Sequence, residues 1–118
     1  MIYEIRDYYI DPAMIDVYEE WTTKRALPYM RRELDLVGFW FLADPEPEVT
    51  GAPLDETGAA NVTWIIRWDD IETRNREMGR VFSPSGDEWS EIWKQHPGRQ
   101  VYRRLEVRFT RNVVAANG

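Results

Sequence analysis

The alternation of apolar and polar positions along the chain predicts four β-strands. Residues 1–10 alternate imperfectly but are rich in β-branched and aromatic side chains, and residues 62–68 and 102–111 alternate with a period of two. Residues 36–43 are apolar at nearly every position, which is typical of a strand covered on both faces. In the last strand we expect three apolar side chains to point inward: Leu105, Val107 and Phe109.

Apolar residues at helical spacing predict a helix over residues 12–26, between the first two strands. Asp11 supplies an N-cap, and Pro12 fits the first helical turn. Pro28 lacks an amide donor and clashes with the carbonyl four residues back. The sequence therefore predicts a break or kink there, with one more turn through Arg32.

A second helical region is predicted between the last two strands. Asp69 or Asp70 caps a helix that residues 83–86 interrupt, and a short helix over residues 87–95 follows. Residues 44–60 hold three prolines and two glycines and show no periodicity. This composition predicts a long loop that acts as a lid or as a recognition surface.

The order strand, helix, strand, strand, helix, strand is the ferredoxin-like βαββαβ pattern. It predicts an α+β fold in which a four-stranded antiparallel sheet carries helices on one face. A chain of 118 residues has the size of one domain. We therefore expect a single domain over residues 1–118, with a frayed tail over residues 112–118.

The second strand is apolar on both faces, whereas helices on one side of a sheet cover only that side. An identical sheet from a second chain is the economical cover, so the sequence predicts a homodimer that closes a dimeric α+β barrel. The charged side chains of the other strands are expected to point into the barrel and to pair there. These residues are Glu4, Arg6, Arg67, Arg104, Glu106 and Arg108.

Charge and composition exclude several classes of protein. Fifteen basic against 21 acidic residues give a net charge of −6, which repels a nucleic acid backbone. The chain has no cysteine, hence neither disulfides nor a thiolate nucleophile. It shows neither a leader sequence nor a membrane-spanning run, so we expect a soluble cytoplasmic protein.

Three segments resemble the NIPSNAP family: residues 1–8 (MIYEIRDY), residues 36–40 (LVGFW) and residues 65–70 (IIRWDD). Trp89 also fits, and the resemblance extends over residues 1–111. It implies a dimeric α+β barrel, whose fold relatives include cofactor-free antibiotic-biosynthesis monooxygenases, haem-degrading oxygenases and small isomerases or lyases. Fold alone assigns none of these activities.

Six Trp, six Tyr and four Phe supply flat apolar surface for a core or for a ligand pocket. If the first strand turns Tyr3, Asp7 and Tyr9 toward the helices, a ring-walled cleft forms there around one carboxylate. Burial would raise the pKa of Asp7 and suit it to proton transfer. The alternative is that Asp7 lies exposed near the strand end. The aromatic residues that we expect to hold a planar substrate are Tyr3, Tyr9, Trp40, Trp64, Trp68 and Trp93.

His96 is the only imidazole in the sequence and is the second candidate catalytic residue. It is a candidate general base or haem ligand, or else a cap on the last carbonyls of the preceding helix. Phosphate loops, zinc motifs and dinucleotide fingerprints are absent from the sequence.

Two functional hypotheses follow. The first is a cofactor-independent enzyme, a monooxygenase or a proton-transferring isomerase or lyase, acting on a planar oxygenated substrate. The second is a non-catalytic homodimer that binds an apolar ligand or another protein. A haem enzyme is a third possibility.

Overall fold

The computed structural model describes residues 1–52 and 56–114. Its elements, in chain order, are β1 (Ile2–Ile10), α1 (Ile15–Trp21), a π-helical segment (Thr22–Ala26), α2 (Leu27–Glu33), β2 (Leu36–Phe41), β3 (Val62–Trp68), α3 (Ile71–Val81), α4 (Asp87–Trp93), a 3₁₀ turn (Arg99–Val101) and β4 (Tyr102–Thr110). The sheet is antiparallel throughout, with strand order β2-β3-β1-β4. This is the ferredoxin-like α+β fold that the sequence predicts.

The helices cover one face of the sheet, and the core lies between the two layers. Ile10 and Ile66 of the sheet and Val81 of α3 are fully buried there, with Tyr18 of α1 close to fully buried. Asp70 caps α3, because its carboxylate accepts the amide N–H of Thr73 at 2.7 Å.

Pro28 does not break the first helical region. The helical run continues from Ile15 to Glu33 through the π-helical segment, and Pro28 lies in the first turn of α2. In a π-helical turn each carbonyl accepts the N–H of the residue five positions later. The turn before Pro28 therefore tolerates the missing N–H of the proline. A break at Pro28 is therefore excluded, whereas the predicted further turn through Arg32 is present in α2.

The two faces of β1 are reversed relative to the prediction from its sequence. Glu4 pairs with Ile66 and Phe109, and Arg6 pairs with Trp64 and Val107. Directly opposed residues share a face, so Glu4 and Arg6 lie under the helices and do not point away from them. The expectation holds for Leu105, Val107 and Phe109, which are on the helix side although still partly exposed.

The alternate residues of β1 lie on the outer face of the sheet: Tyr3, Ile5, Asp7 and Tyr9. Tyr3, Asp7 and Tyr9 therefore do not form the predicted wall of the cleft. Trp40 also lies on the outer face, because β2 carries a bulge between Leu36 and Gly38 that shifts the alternation after it.

The outer face carries a network of ion pairs. Arg108 contacts Asp7 at 2.6 Å and Glu106 at 2.7 Å, and Arg104 contacts Glu106 at 3.1 Å. Four of the six charged residues expected on this face are there, with Arg67 bound to Asp35 at its margin. Glu4 and Arg6 are the two exceptions.

Residues 44–52 and 56–60 form no helix or strand, in agreement with the predicted loop, and residues 53–55 lie outside the described part. Residues 112–114 follow the end of β4, and residues 115–118 of the predicted tail also fall outside it. Over the described ranges, no helix has both the length and the apolar character needed to cross a bilayer.

Candidate functional site

A cavity of about 540 Å³ lies between the sheet and the helices. Pockets of this size hold small organic molecules. Its walls are mainly aromatic and come from both layers: Tyr8, Tyr18, Trp21, Trp64, Trp93 and Tyr102.

Two hydrogen bonds between helices hold this wall in place. The indole N–H of Trp21 on α1 donates to the carbonyl of Ile92 on α4 at 2.8 Å. The hydroxyl of Tyr29 on α2 donates to the carbonyl of Val81 on α3 at 2.6 Å. The polar atoms of these large side chains are thus paired within the protein, and their rings remain to line or support the cavity.

A buried ionic cluster lies beneath the cavity. Glu4 is fully buried and accepts hydrogen bonds from Arg74 at 2.9 Å on both oxygens, from Arg6 at 2.6 Å and from the indole of Trp68 at 3.0 Å. Burial raises the pKa of Glu4, but the hydrogen bonds from Arg74 and Arg6 outweigh burial and hold the pKa below its usual value. Glu4 is therefore an ionised structural anchor and not a proton donor.

Arg6 connects this cluster to the cavity. Its Nε donates to the hydroxyl of Tyr8 at 2.7 Å, and its guanidinium lies 5.2 Å from the ring of Trp64. All three residues line the cavity. The buried indole N–H of Trp64 has no hydrogen-bond acceptor among the described residues, which is a costly state for a buried donor.

His96 lies in an aromatic stack behind the cavity wall. Its ring is parallel to that of Trp93 at 4.0 Å and to that of Tyr102 at 5.4 Å. The amide N–H of Gly98 donates to Nδ1 at 2.8 Å, so Nε2 carries the proton and donates to the hydroxyl of Tyr102 at 2.8 Å. His96 therefore positions the Tyr102 hydroxyl.

The protonation states of these groups follow from burial. Burial lowers the pKa of His96 to about 4, with the charge of Arg99 acting in the same direction. Burial raises the pKa of Tyr102 to about 12 and raises that of Tyr18 well above its ordinary value. At neutral pH the imidazole is neutral and both phenols are protonated.

This arrangement does not fit a histidine-bound haem. A ligand to iron needs a free ring nitrogen, and both nitrogens of His96 are engaged within the protein. The interpretation of His96 as a cap on helix carbonyls is also wrong, since its Nδ1 accepts a backbone N–H. Over the described ranges, no group of three or more potential metal-ligating side chains comes together.

The predicted substrate-binding residues divide between the two faces of the sheet. Trp64 and Trp93 line the cavity, as expected, and Trp68 lies on the same side but bonds to Glu4. Tyr3, Tyr9 and Trp40 are on the outer face and are corrections to the predicted site.

Asp7, the first candidate catalytic residue, is also on the outer face, away from the cavity. Its carboxylate accepts the hydroxyl of Thr63 at 2.6 Å and pairs with Arg108 at 2.6 Å.

Four cavity residues were not predicted from the sequence: Arg6, Tyr8, Tyr18 and Tyr102. Strand alternation could have identified two of them, because Arg6 and Tyr8 lie on the same face of β1 as Ile10, which is apolar and buried. Glu4 and Arg6 lie on the same face of the strand, and their charges argued against burial of that face. Their burial depends on Arg74, which lies 70 residues from Glu4 in the sequence and could not be identified as a partner from a local pattern.

No family model matches the sequence, and no curated protein matches it. Solved structures do match its fold. An uncharacterized NIPSNAP domain protein from Burkholderia xenovorans is 15% identical, with a TM-score of 0.70 over 98% of this chain and 97% of that chain. A NIPSNAP family protein of unknown function from Agrobacterium tumefaciens is 18% identical, with a TM-score of 0.70 over 95% of this chain and 87% of that chain.

A weaker likeness extends to an antibiotic biosynthesis monooxygenase, at 13% identity and a TM-score of 0.56 over 96% of this chain and 99% of that chain. At such identities the likeness establishes the fold. The NIPSNAP resemblance is thus confirmed at that level.

Proposed function

We propose that the cavity binds a planar oxygenated small molecule and that the protein promotes a cofactor-independent reaction of that molecule as its anion. The observation that carries the proposal is the cavity itself, with aromatic walls and a guanidinium at its floor. Stacking on Trp64 and Trp93 would hold the flat body of the substrate. The fold shared with an antibiotic biosynthesis monooxygenase supports this class of chemistry by analogy.

The charged and polar groups of the cavity favour an anion. Arg6 and Arg99 line it, and none of the described residues that line it is an aspartate or glutamate. The phenol of Tyr102 is protonated at neutral pH and is a hydrogen-bond donor. Donors placed in a site of low polarity stabilise negative charge that develops on a substrate oxygen.

Anthrone is a suitable test compound because it is flat, loses a ring-methylene proton to give an enolate, and the enolate reacts with dioxygen. The carbanion carbon bonds to dioxygen, and the resulting peroxide loses water as the second methylene proton leaves. The products are one anthraquinone and one water for each anthrone and dioxygen consumed. Dioxygen is the oxidant, so the balance requires no other cofactor.

We expect the purified protein to accelerate anthraquinone formation by at least about tenfold over buffer, measured from the quinone absorbance. Met78→Trp places an indole in the cavity and should lower kcat/KM by about tenfold or more. The matched control Val17→Trp adds the same ring at an exposed helical site and should leave the rate unchanged. Equal rates for Met78→Trp and the unmodified protein would remove the cavity as the reaction site.

A ligand-binding role without catalysis is the second candidate. It is favoured by the absence of a carboxylate base among the described cavity residues. Anthrone that binds, competes with other flat ligands and is not oxidised would support this second function over the first.

We also propose that the outer face of the sheet pairs with a second copy of the chain. Ile5 and Ile65 are directly opposed at its centre, and Trp40 is 48% exposed beside them. Apolar groups mixed with ion-paired charges suit a self-complementary two-fold contact. The presence of Asp7 and Arg108 on this face adds polar groups that a symmetric partner would meet.

Light scattering at micromolar concentration should give a mass of twice the 14.0 kDa chain. Ile65→Arg places an unpaired charge at the centre of the contact and should give the monomer mass. Val17→Arg, on the exposed surface of α1, is the control and should remain dimeric. A monomer for the unmodified protein would exclude this assembly.

A further inference from the structure

The ionic cluster beneath the cavity carries an unbalanced charge. It consists of one carboxylate, Glu4, and two guanidiniums, Arg6 and Arg74, which gives a net charge of +1. The side chain of Arg6 is 16% exposed, that of Arg74 is 21% exposed, and Glu4 is fully buried. The described residues provide no second carboxylate for either arginine, although the whole chain has a net charge of −6.

Arg6 has donors to spare at the cavity. Its Nε bonds to Tyr8 and its Nη1 bonds to Glu4, while Nη2 has no acceptor among the described residues. Trp64, directly opposite Arg6 in the sheet, has an unpartnered buried indole N–H. The indole N–H of Trp64 is buried from the cavity surface, so the Nη2 of Arg6 is the donor of this pair that an oxygen of a bound ligand can reach.

We infer that the natural ligand carries a carboxylate, or an equivalent singly charged oxygen group, and that this group binds Arg6. This inference rests on the proposed function and names its substrate class as planar aromatic monoacids. A monoanion brings the cluster to neutrality, whereas a phosphate dianion leaves it negative. The remaining donor of Arg6, its Nη2, can bond to one carboxylate oxygen, and the opposite charges strengthen that hydrogen bond.

Arg99 at the exposed rim adds a second cation and places positive charge along the entry to the cavity. Both arginines attract an acidic ligand to the cavity. The acidic group of the ligand could then bind at Arg6 inside the cavity or at Arg99 at the rim. Only the floor site combines the cation with a low-polarity environment, where a hydrogen-bonded ion pair is stronger.

Calorimetric titration of 2-naphthoate and 2-naphthamide tests the inference, because the two compounds have the same shape and differ in charge. The acid should bind at least about tenfold more tightly than the amide, and Arg6→Gln should abolish that preference. Arg80→Gln, an exposed arginine of α3 that does not line the cavity, is the matched control and should retain it. Naphthyl phosphate should bind more weakly than the acid.

The possible outcomes separate this inference from the proposed function. Equal affinity for acid and amide in the unmodified protein overturns the carboxylate site but leaves a cavity that binds flat molecules. Failure of both compounds to bind overturns the proposed function as well. If Arg6→Gln does not fold, the comparison of acid and amide in the unmodified protein still decides the question. Arg99→Gln, if it alone abolishes the preference, places the carboxylate at the rim and contradicts the site at Arg6.

Discussion

Replacing Glu4 with glutamine is expected to lower the free energy of unfolding by about 3 to 5 kcal/mol, since removal of one partner from a buried ion pair leaves uncompensated charge. The carboxylate is fully buried and accepts four hydrogen bonds, so an amide cannot satisfy all the donors that now converge on it. Both Arg6 and Arg74 would then repel each other across the core.

Urea denaturation at neutral pH measures this loss. Glu33→Gln is the matched control, because Glu33 also contacts two arginines but lies on α2, where the side chains of both arginines are 54% exposed. An exposed pair contributes about 0 to 1 kcal/mol, so the control should change stability little. Equal losses for Glu4→Gln and Glu33→Gln would show that the cluster does not anchor the fold.

Acidification should destabilise the protein through His96. Its pKa is about 4 in the folded protein and 6.5 when unperturbed, so the unfolded state binds the proton more readily. Stability from the neutral imidazole is fully present above pH 6.5 and is lost as the pH falls from 6.5 toward 4. The largest loss that this shift allows is roughly 3 kcal/mol.

The difference in unfolding free energy between the unmodified protein and His96→Asn, measured as a function of pH, isolates this effect. The contributions of the other titrating groups are the same in both proteins and cancel in the difference. Asparagine does not titrate, so its stability should fall less across the same pH window. The variant also removes the hydrogen bond from His96 to Tyr102, so its stability at neutral pH is lower. The dependence of its unfolding free energy on pH can still be compared with that of the unmodified protein. Parallel curves for the two proteins would contradict a neutral, buried His96.

The fold could be predicted from the sequence because strand and helix periodicity are local properties. β3 matches its predicted range, and β4 and α4 end one or two residues early. The predicted break at Pro28 does not occur because the π-helical segment before it accommodates the missing N–H of the proline. The bulge in β2 was likewise invisible, since β2 is apolar at nearly every position and gives no alternation to follow.

A cavity lies where the sequence predicted a cleft, but many of its lining residues differ from the predicted ones. The cleft does lie between sheet and helices, and Trp64 and Trp93 do line it. The parity of β1 was misassigned because charge on Glu4 and Arg6 argued for the solvent side. Their burial depends on Arg74 in α3, a contact between residues distant in sequence that no local pattern encodes.

A crystal structure of the protein grown with 2-naphthoate shows where a flat acidic molecule binds. We predict that the naphthalene ring occupies the cavity against Trp64 and Trp93 and that the carboxylate lies within hydrogen-bond distance of the Arg6 guanidinium. A ring found only on the outer face of the sheet, or a cavity that stays free of ligand at saturating concentration, would contradict the assignment of this cavity as the functional site.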